Sequence, residues 1–272
     1  VYYTGFCTAS KSIAIKGGKG GEIKFHANAV LIQHPEKGNM LFDTGYAPRF
    51  YELTSKWPEK IQALSTPTTT QASWAMVEQL KAEGIEAKDI PYLIISHFHA
   101  DHIAGLEDFP HSQIYANQSA YAQIKKYKGF AAVRRGLIPT FLPDDIGERI
   151  NFFEGMKLEE RSDEFGFHYD FFGDGSIRVV QIPGHARGQI GLILNEDHEA
   201  SIFLAADGYW LTEALEKNAL PRSIVKLFFD DWKAYKESFE KIRLYRERHP
   251  NCKMINCHCP QVFEETEAKI YR

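Results

Sequence analysis

Three histidines and one aspartate lie within six consecutive residues, at His97, His99, Asp101 and His102. The residues just before them, 91–96, form a short apolar run that is typical of a strand buried on both faces. Imidazole nitrogens and carboxylate oxygens are ligands that suit zinc and its first-row neighbours. The histidine spacings of two and then three residues differ from the four-residue spacing of a helical zinc motif. The sequence therefore predicts a metal site in the turn that follows a buried strand.

Three further candidate ligands also stand at the ends of predicted strands. His185 lies in a glycine-flanked turn between two predicted strands, Asp207 follows the strand at 201–206, and His258 follows the strand at 253–256. Strand ends in α/β folds converge on one edge of the molecule, where ligand sites form. We therefore expect these three side chains to join the first four.

The elements that must hold these residues show the periodicities of a mixed α/β chain. Helices are predicted where apolar residues recur on one face, at residues 69–84, 117–128 and 231–249. A hairpin is predicted at 27–45, and strands at 91–96, 177–182, 190–194, 201–206 and 253–256. Because hairpins come first and helices alternate with strands later, the order favours an α/β fold whose sheets are covered by helices.

The composition excludes several classes of protein. The chain has 272 residues, of which 44% are hydrophobic and 25% charged, so it is neither disordered nor fibrous. With 32 basic and 36 acidic side chains the net charge is −4, which argues against a broadly cationic nucleic-acid binder. Its apolar runs are far shorter than a membrane helix needs. The four cysteines (Cys7, Cys252, Cys257 and Cys259) do not form a disulfide framework, so we expect reduced thiols and a cytoplasmic location.

Taken together, these motifs resemble those of the metallo-β-lactamase superfamily. His97, His99, Asp101 and His102 match its His-x-His-x-Asp-His motif. The segment 41–45 matches its early aspartate motif through Asp43, and His185, Asp207 and His258 match its later ligand motifs in the right order. The resemblance spans residues 41–258 and implies a four-layer αββα sandwich in a single domain, 1–272. The aperiodic stretch 129–172 is expected to form a cap over the site.

The resemblance also implies a role for each ligand. One divalent metal would be held by His97, His99 and His185, and a second by Asp101, His102 and His258, with Asp207 bridging the two. Asp43 would orient a ligand histidine or the ligand loop; the alternative is a turn aspartate before Gly45. Zinc is the default metal, and iron, manganese or cobalt would fit the same donors.

Within the superfamily, the chain most resembles the N-acyl homoserine lactonases. The 22-residue step from His185 to Asp207 (207 − 185) and the opening hairpin are lactonase-like, although the 83-residue step from His102 to His185 (185 − 102) is long. We therefore expect hydrolysis of a small-molecule lactone or carboxylic ester by a hydroxide held between the two metals. Asp101 would carry the proton to the leaving alkoxide.

Other functions remain open at this point. Phosphodiesterases and thioester hydrolases of the glyoxalase II type keep the same seven ligands, and a metal-bearing sensor or binding module would keep the site without fast turnover. A nuclease needs a cationic surface, but the basic runs at 125–128 and 134–135 are balanced by acidic runs at 144–145 and 159–160. We expect neither nucleic acid nor a membrane as a partner, and the oligomeric state is open.

The residues after Asp207 carry one more prediction. In the lactonases that this chain resembles, a tyrosine three positions after the bridging aspartate donates a hydrogen bond to the substrate carbonyl oxygen. Here Tyr209 comes at the second position and Trp210 at the third. Tyr209 would stabilise the developing oxyanion if its hydroxyl faces the metals; the alternative is that both rings only pack.

Overall fold

The computed structural model describes residues 1–18, 21–196 and 201–267. In these ranges the strands form two sheets. The first sheet contains β1 (Tyr2–Ser10), β2 (Glu22–His34), β3 (Gly38–Phe42), β4 (Thr68–Thr69), β5 (Tyr92–Ile94), β6 (Gln113–Ala116) and β7 (Ile150–Phe152), in the order β4-β1-β2-β3-β5-β6-β7. The second contains β8 (Leu158–Glu160), β9 (Phe167–Asp170), β10 (Ile177–Gln181), β11 (Ile190–Leu194), β12 (Ile202–Leu204) and β13 (Lys253–Ile255), in the order β13-β12-β11-β10-β9-β8.

Helices connect the strands and cover the outer faces of the sheets. They are α1 (Lys11–Ala14), α2 (Arg49–Leu53), α3 (Lys60–Ser65), α4 (Met76–Ala82), α5 (Ala100–Ile103), α6 (Gln118–Lys126), α7 (Gly129–Val133), α8 (Ile146–Arg149), α9 (Thr212–Glu216), α10 (Trp232–Arg248) and α11 (Pro260–Glu267). Short 3₁₀ helices lie at Ala72–Trp74, Ala87–Asp89, Leu106–Asp108, Pro139–Phe141, Phe153–Gly155 and Ser223–Leu227. Within the described ranges, none of the helices has the length and apolar character needed to span a membrane.

Three apolar cores separate four layers. Because side chains alternate along a strand, Leu93 of β5 packs under the helices of the first sheet, while the next residue, Ile94, lies between the sheets. In β10, Val179 lies between the sheets and Val180 packs beneath α10, against residues such as Ile242. The layers are therefore helix, sheet, sheet and helix, which confirms the predicted αββα class.

Two parallel strand pairs bring the candidate ligands to one edge. β3 and β5 are parallel neighbours in the first sheet, so Asp43 and His97 follow strands that end on the same side. β12 and β13 are parallel neighbours in the second sheet, so Asp207 and His258 also leave the sheet side by side. The turn between β10 and β11 supplies His185, and the backbone N–H of Ile190 donates to the Ser96 carbonyl, 3.1 Å away, which ties the two sheets together here.

Some predicted elements differ from those observed. The helix predicted at 69–84 begins only at Met76, because Thr69 belongs to strand β4, Ala72–Trp74 forms a separate 3₁₀ helix, and Ala75 has a non-helical backbone with ψ 137°. The stretch 129–172, expected to form a cap, contributes β7 to the first sheet and β8 and β9 to the second, so these three strands of it are part of the sandwich. Of that stretch, Arg135 and Leu137 in the turn after α7 contact a predicted metal ligand, His99.

Candidate metal centre

The first three predicted ligands converge at the end of β5. His99 Nδ1 lies 3.1 Å from His97 Nε2 and 3.0 Å from His185 Nε2. His97 and His185 are buried, and His99 is largely so. The three imidazoles thus point one nitrogen each at a common centre, as a tridentate metal site requires.

Hydrogen bonds outside the cluster determine which ring nitrogens face the cluster without a proton. The Ser96 hydroxyl donates to Asp43 Oδ2 at 2.7 Å, so its oxygen accepts from His97 Nδ1–H at 3.0 Å. The carbonyl of Arg135 can only accept, so His99 Nε2 donates to it, also at 3.0 Å. His97 Nε2 and His99 Nδ1 are therefore lone-pair nitrogens 3.1 Å apart with no proton between them. A cation between them satisfies both, so the donor set fits a divalent metal.

Burial favours the neutral imidazoles that metal binding requires. It lowers the pKa of His99 to about 3, with a further lowering by the neighbouring His185. The pKa of His97 is held well below its usual value, again mainly by burial and then by His102. Both side chains are therefore ready to act as ligands at neutral pH.

The second cluster combines two histidines with two carboxylates. His258 Nε2 lies 2.8 Å from Asp207 Oδ2 and 3.6 Å from Asp101 Oδ2. His102 Nε2 lies 3.3 Å from Asp207 Oδ1 and 3.7 Å from Asp101 Oδ2. Two imidazole nitrogens thus face carboxylate oxygens, an arrangement that favours a positive charge among them.

The far nitrogens of both histidines are also occupied. His102 Nδ1 donates to Asp43 Oδ2 at 2.7 Å, and His258 Nδ1 donates to the His26 carbonyl at 2.6 Å. Burial works against charge on His102, but the carboxylates of Asp43, Asp101 and Asp207 around it hold its pKa well above its usual value. The structure therefore gives Asp43 the histidine-orienting position expected from the sequence, and the Nε2 position of His102 attracts a proton or a metal ion.

Asp207 lies between the two clusters. Its Oδ2 is 3.0 Å from His185 Nε2 and 2.8 Å from His258 Nε2, and its Oδ1 is 3.3 Å from His102 Nε2. Burial raises the pKa of this carboxyl, but the surrounding imidazoles, led by His258 and His185, hold it well below its usual value. The carboxylate is therefore ionised and within reach of ligands of both clusters.

Cys257 is a neighbour of the site that sequence reasoning missed. Its thiol donates to Asp207 Oδ1 at 3.4 Å and lies 3.9 Å from both ring nitrogens of His102. Burial raises the pKa of this thiol well above its usual value, so it stays protonated as a donor. Its position directly before His258 was the available signal, because side chains beside a ligand at a strand end also reach that edge.

Tyr209 and Trp210 have different surroundings. Tyr209 has no exposed surface, packs in the core beneath α10, and its hydroxyl has no hydrogen-bond partner among the described residues. The Trp210 ring lies 5.8 Å from the ring of His185 and 5.4 Å from that of Phe229, which itself lies 4.9 Å from His185. The geometry favours the packing alternative for Tyr209 and places Trp210 and Phe229 beside a candidate metal ligand.

The chain is similar to known proteins in sequence and in fold. A family model described as the metallo-beta-lactamase superfamily matches residues 23–248. The N-acyl homoserine lactonase AttM of Rhizobium radiobacter is 26% identical, over 93% of this chain and 89% of the relative. A solved N-acyl homoserine lactone hydrolase with N-hexanoyl-L-homoserine at its catalytic metal centre has a TM-score of 0.71 at 17% identity, covering 99% of this chain and 95% of that one. AidC, a dizinc quorum-quenching lactonase, has a TM-score of 0.65 at 14% identity, covering 95% and 86%.

Proposed function

Since the chain belongs to the metallo-β-lactamase superfamily, we propose that it is a dinuclear metal-dependent hydrolase that opens a lactone or cleaves a carboxylic ester. The observation that carries this proposal is the convergence of seven predicted ligands into two adjoining clusters that share Asp207. The similarity to AttM, a named N-acyl homoserine lactonase, supports acyl homoserine lactones as the first substrates to test.

Each cluster would hold one cation. His97, His99 and His185 would bind the first; Asp101, His102 and His258 would bind the second; and Asp207 would contact both. When bound, two divalent cations supply a water of lowered pKa and a Lewis-acid contact for a carbonyl oxygen. Zinc is the first choice, as in the dizinc neighbour AidC, and iron, manganese or cobalt suit the same nitrogen and oxygen donors.

Asp101 is suited to move the proton during ring opening. Its side chain is 19% exposed, against 1% for His102 and 2% for Asp207, so it is the most accessible group of the second cluster to an entering substrate. Water adds to the carbonyl carbon, the bond from that carbon to the ring oxygen breaks, and the proton released from water passes through Asp101 to the alkoxide. The product is a hydroxy acid, so atoms and charge balance.

The surroundings of His185 favour a substrate with an apolar portion. Trp210 and Phe229 flank this ligand, and the neighbouring residues Leu227 and Phe228 are exposed. An acyl chain that extends from the metal centre toward these residues would displace water from their apolar surfaces. We also infer a cytoplasmic enzyme, which the free state of all four cysteines supports.

A substrate panel tests the proposal. Protein purified without added metal should hold about two metal ions per chain by elemental analysis. It should act fastest on a lactone or ester among acyl homoserine lactones, simple lactones, aryl esters, glutathione thioesters and a chromogenic phosphodiester. A tenfold preference for the phosphodiester, about 1.4 kcal/mol of transition-state discrimination, would replace the proposal by a phosphodiesterase. No turnover of any compound with two ions bound would identify a binding module instead.

A further inference from the structure

We propose that the C-terminal end of α7 with the turn that follows it, residues 132–137, positions His99 for metal binding through the Arg135 carbonyl and Gly136. The proposal rests on the proposed function only in taking His99 as a ligand of the first metal ion. It makes Gly136 a positioning residue, although it belongs to neither metal cluster.

The turn has a fixed backbone geometry. The N–H of Leu137 donates to the Ala132 carbonyl at 3.1 Å, and the N–H of Gly136 donates to the Val133 carbonyl at 2.9 Å. These two bonds, with Gly136 at φ +70°, form a Schellman motif that ends α7. The carbonyl of Arg135 takes part in neither bond, so it can accept a hydrogen bond from outside the helix.

Side chains hold the turn in place on both sides. The Arg135 guanidinium lies 3.8 Å from the centre of the Tyr127 ring, and its Nη1 donates to the Ala131 carbonyl at 2.7 Å. Leu137 is buried in the core beneath the helices of the first sheet. The Arg135 carbonyl is therefore an acceptor of defined position.

His99 fits closely against this turn. Its Nε2 donates to the Arg135 carbonyl at 3.0 Å, and its backbone forms an isolated antiparallel bridge with Leu137. A Cβ atom added to Gly136 would lie 2.8 Å from His99 Cδ2 and 2.9 Å from Nε2, closer than carbon atoms normally approach. Only glycine at this position leaves room for the ring and its hydrogen bond.

The orientation matters because His99 faces the cluster through Nδ1, whereas His97 and His185 face it through Nε2. A proton on Nε2 keeps Nδ1 free as a lone pair, and the carbonyl holds that proton in place. Partners of this kind fix the tautomer and ring orientation of metal-binding histidines, and their loss typically lowers metal affinity by about 10–100-fold. The turn thus controls the first metal site from outside it.

Two glycines of the same segment provide a matched test. Gly136→Ala and Gly129→Ala both place a side chain at positive φ, +70° and +57°, but a Cβ at Gly129 meets nothing closer than Pro58 Cγ at 3.9 Å. The measurements are metal affinity by chelator competition and the visible spectrum of the Co²⁺-loaded protein. We expect G136A to lose about tenfold or more in affinity for one of the two ions and to change its Co²⁺ spectrum. G129A should keep wild-type affinity and spectrum, and equal behaviour of the two variants would overturn the proposal.

A milder pair keeps the test decisive where G136A does not fold. Arg135→Ala removes the contact with Tyr127 while leaving the backbone carbonyl, and the exposed neighbour Arg134→Ala is its control. R135A should weaken binding of the same ion that G136A affects. An unchanged metal affinity in R135A would again count against the proposal. Because binding is read without substrate, wild-type protein that binds no metal would refute the proposed function, whereas equal binding in all variants would refute only the positioning role.

Discussion

At the scale of single residues, the histidines predicted to bind metal share a common arrangement. Four have the nitrogen away from the cluster engaged: His97 by Ser96, His99 by the Arg135 carbonyl, His102 by Asp43, and His258 by the His26 carbonyl. His185 differs, since its Nδ1 is buried with no hydrogen-bond partner in the described part of the chain. The orientation of four rings is therefore set before any metal binds, which reduces the ordering cost of binding.

Asp43 is the partner that a substitution tests most directly. Its carboxylate accepts from His102 Nδ1, the Ser96 hydroxyl and the Ser96 N–H at 2.7–2.8 Å. Asp43→Asn removes the charge and one acceptor oxygen while keeping the shape. We expect affinity for one metal ion to fall about 10–100-fold, measured by chelator competition. Wild-type affinity in this variant would make Asp43 a turn residue only.

Tyr209 allows the oxyanion role to be tested against packing. Because its hydroxyl is buried without a partner among the described residues, we expect Tyr209→Phe to keep kcat within about twofold and to leave stability unchanged or slightly raised. The measurement is steady-state kinetics on the best substrate of the panel, with metal content checked in parallel. A fall in kcat of tenfold or more at full metal content would restore the catalytic role.

At the scale of elements, the sequence predicts what depends on local pattern. The strand at 190–194 is found unchanged as β11, and Asn117 caps α6 by accepting from the N–H groups of Ser119 and Ala120. The predicted start of α4 was wrong, because Thr69 pairs with β1 and the non-helical Ala75 separates the 3₁₀ helix Ala72–Trp74 from α4. The contact between His99 and the Arg135 carbonyl could not be predicted, since every residue carries a carbonyl and only the tertiary fold selects one.

The 3₁₀ helix Ser223–Leu227 and the two phenylalanines after it are expected to contact the acyl chain of the substrate. Phe229 contacts the His185 ring, and Phe228 beside it is 59% exposed. We expect Phe228→Ser to lower kcat/KM for a long-chain acyl lactone about fivefold, the equivalent of about 1 kcal/mol of apolar contact, and to spare a short-chain one. The matched control is Phe167→Ser, at a phenylalanine on β9 that is 51% exposed. If Phe228→Ser affects both chain lengths equally, or if Phe228→Ser and Phe167→Ser have equal effects, this surface does not contact the acyl chain.

At the scale of the whole molecule, the candidate metal centre lies where the two halves of the sandwich meet. His97, His99, Asp101 and His102 follow a strand of the first sheet. His185, Asp207 and His258 follow strands of the second. Each proposed metal ion therefore takes ligands from both sheets and links segments about 80 to 160 residues apart in sequence, which crosslinks the fold as well as forming the site.

Metal removal should lower stability without unfolding the chain. The three apolar cores do not depend on the ligands, so we expect the chelated protein to keep its far-UV circular dichroism. A ligand bound at about 1,000 times its Kd stabilises the folded state by about 4 kcal/mol. For a chain of this size that corresponds to a fall in Tm of about 10 °C on chelation, reversed by adding back Zn²⁺. Thermal melts of the loaded, chelated and reloaded protein measure the change.

D43N is the internal control, because its weakened site should show a smaller difference between loaded and chelated forms. Identical melting temperatures in all three wild-type states would mean that the clusters do not join the two sheets through metal.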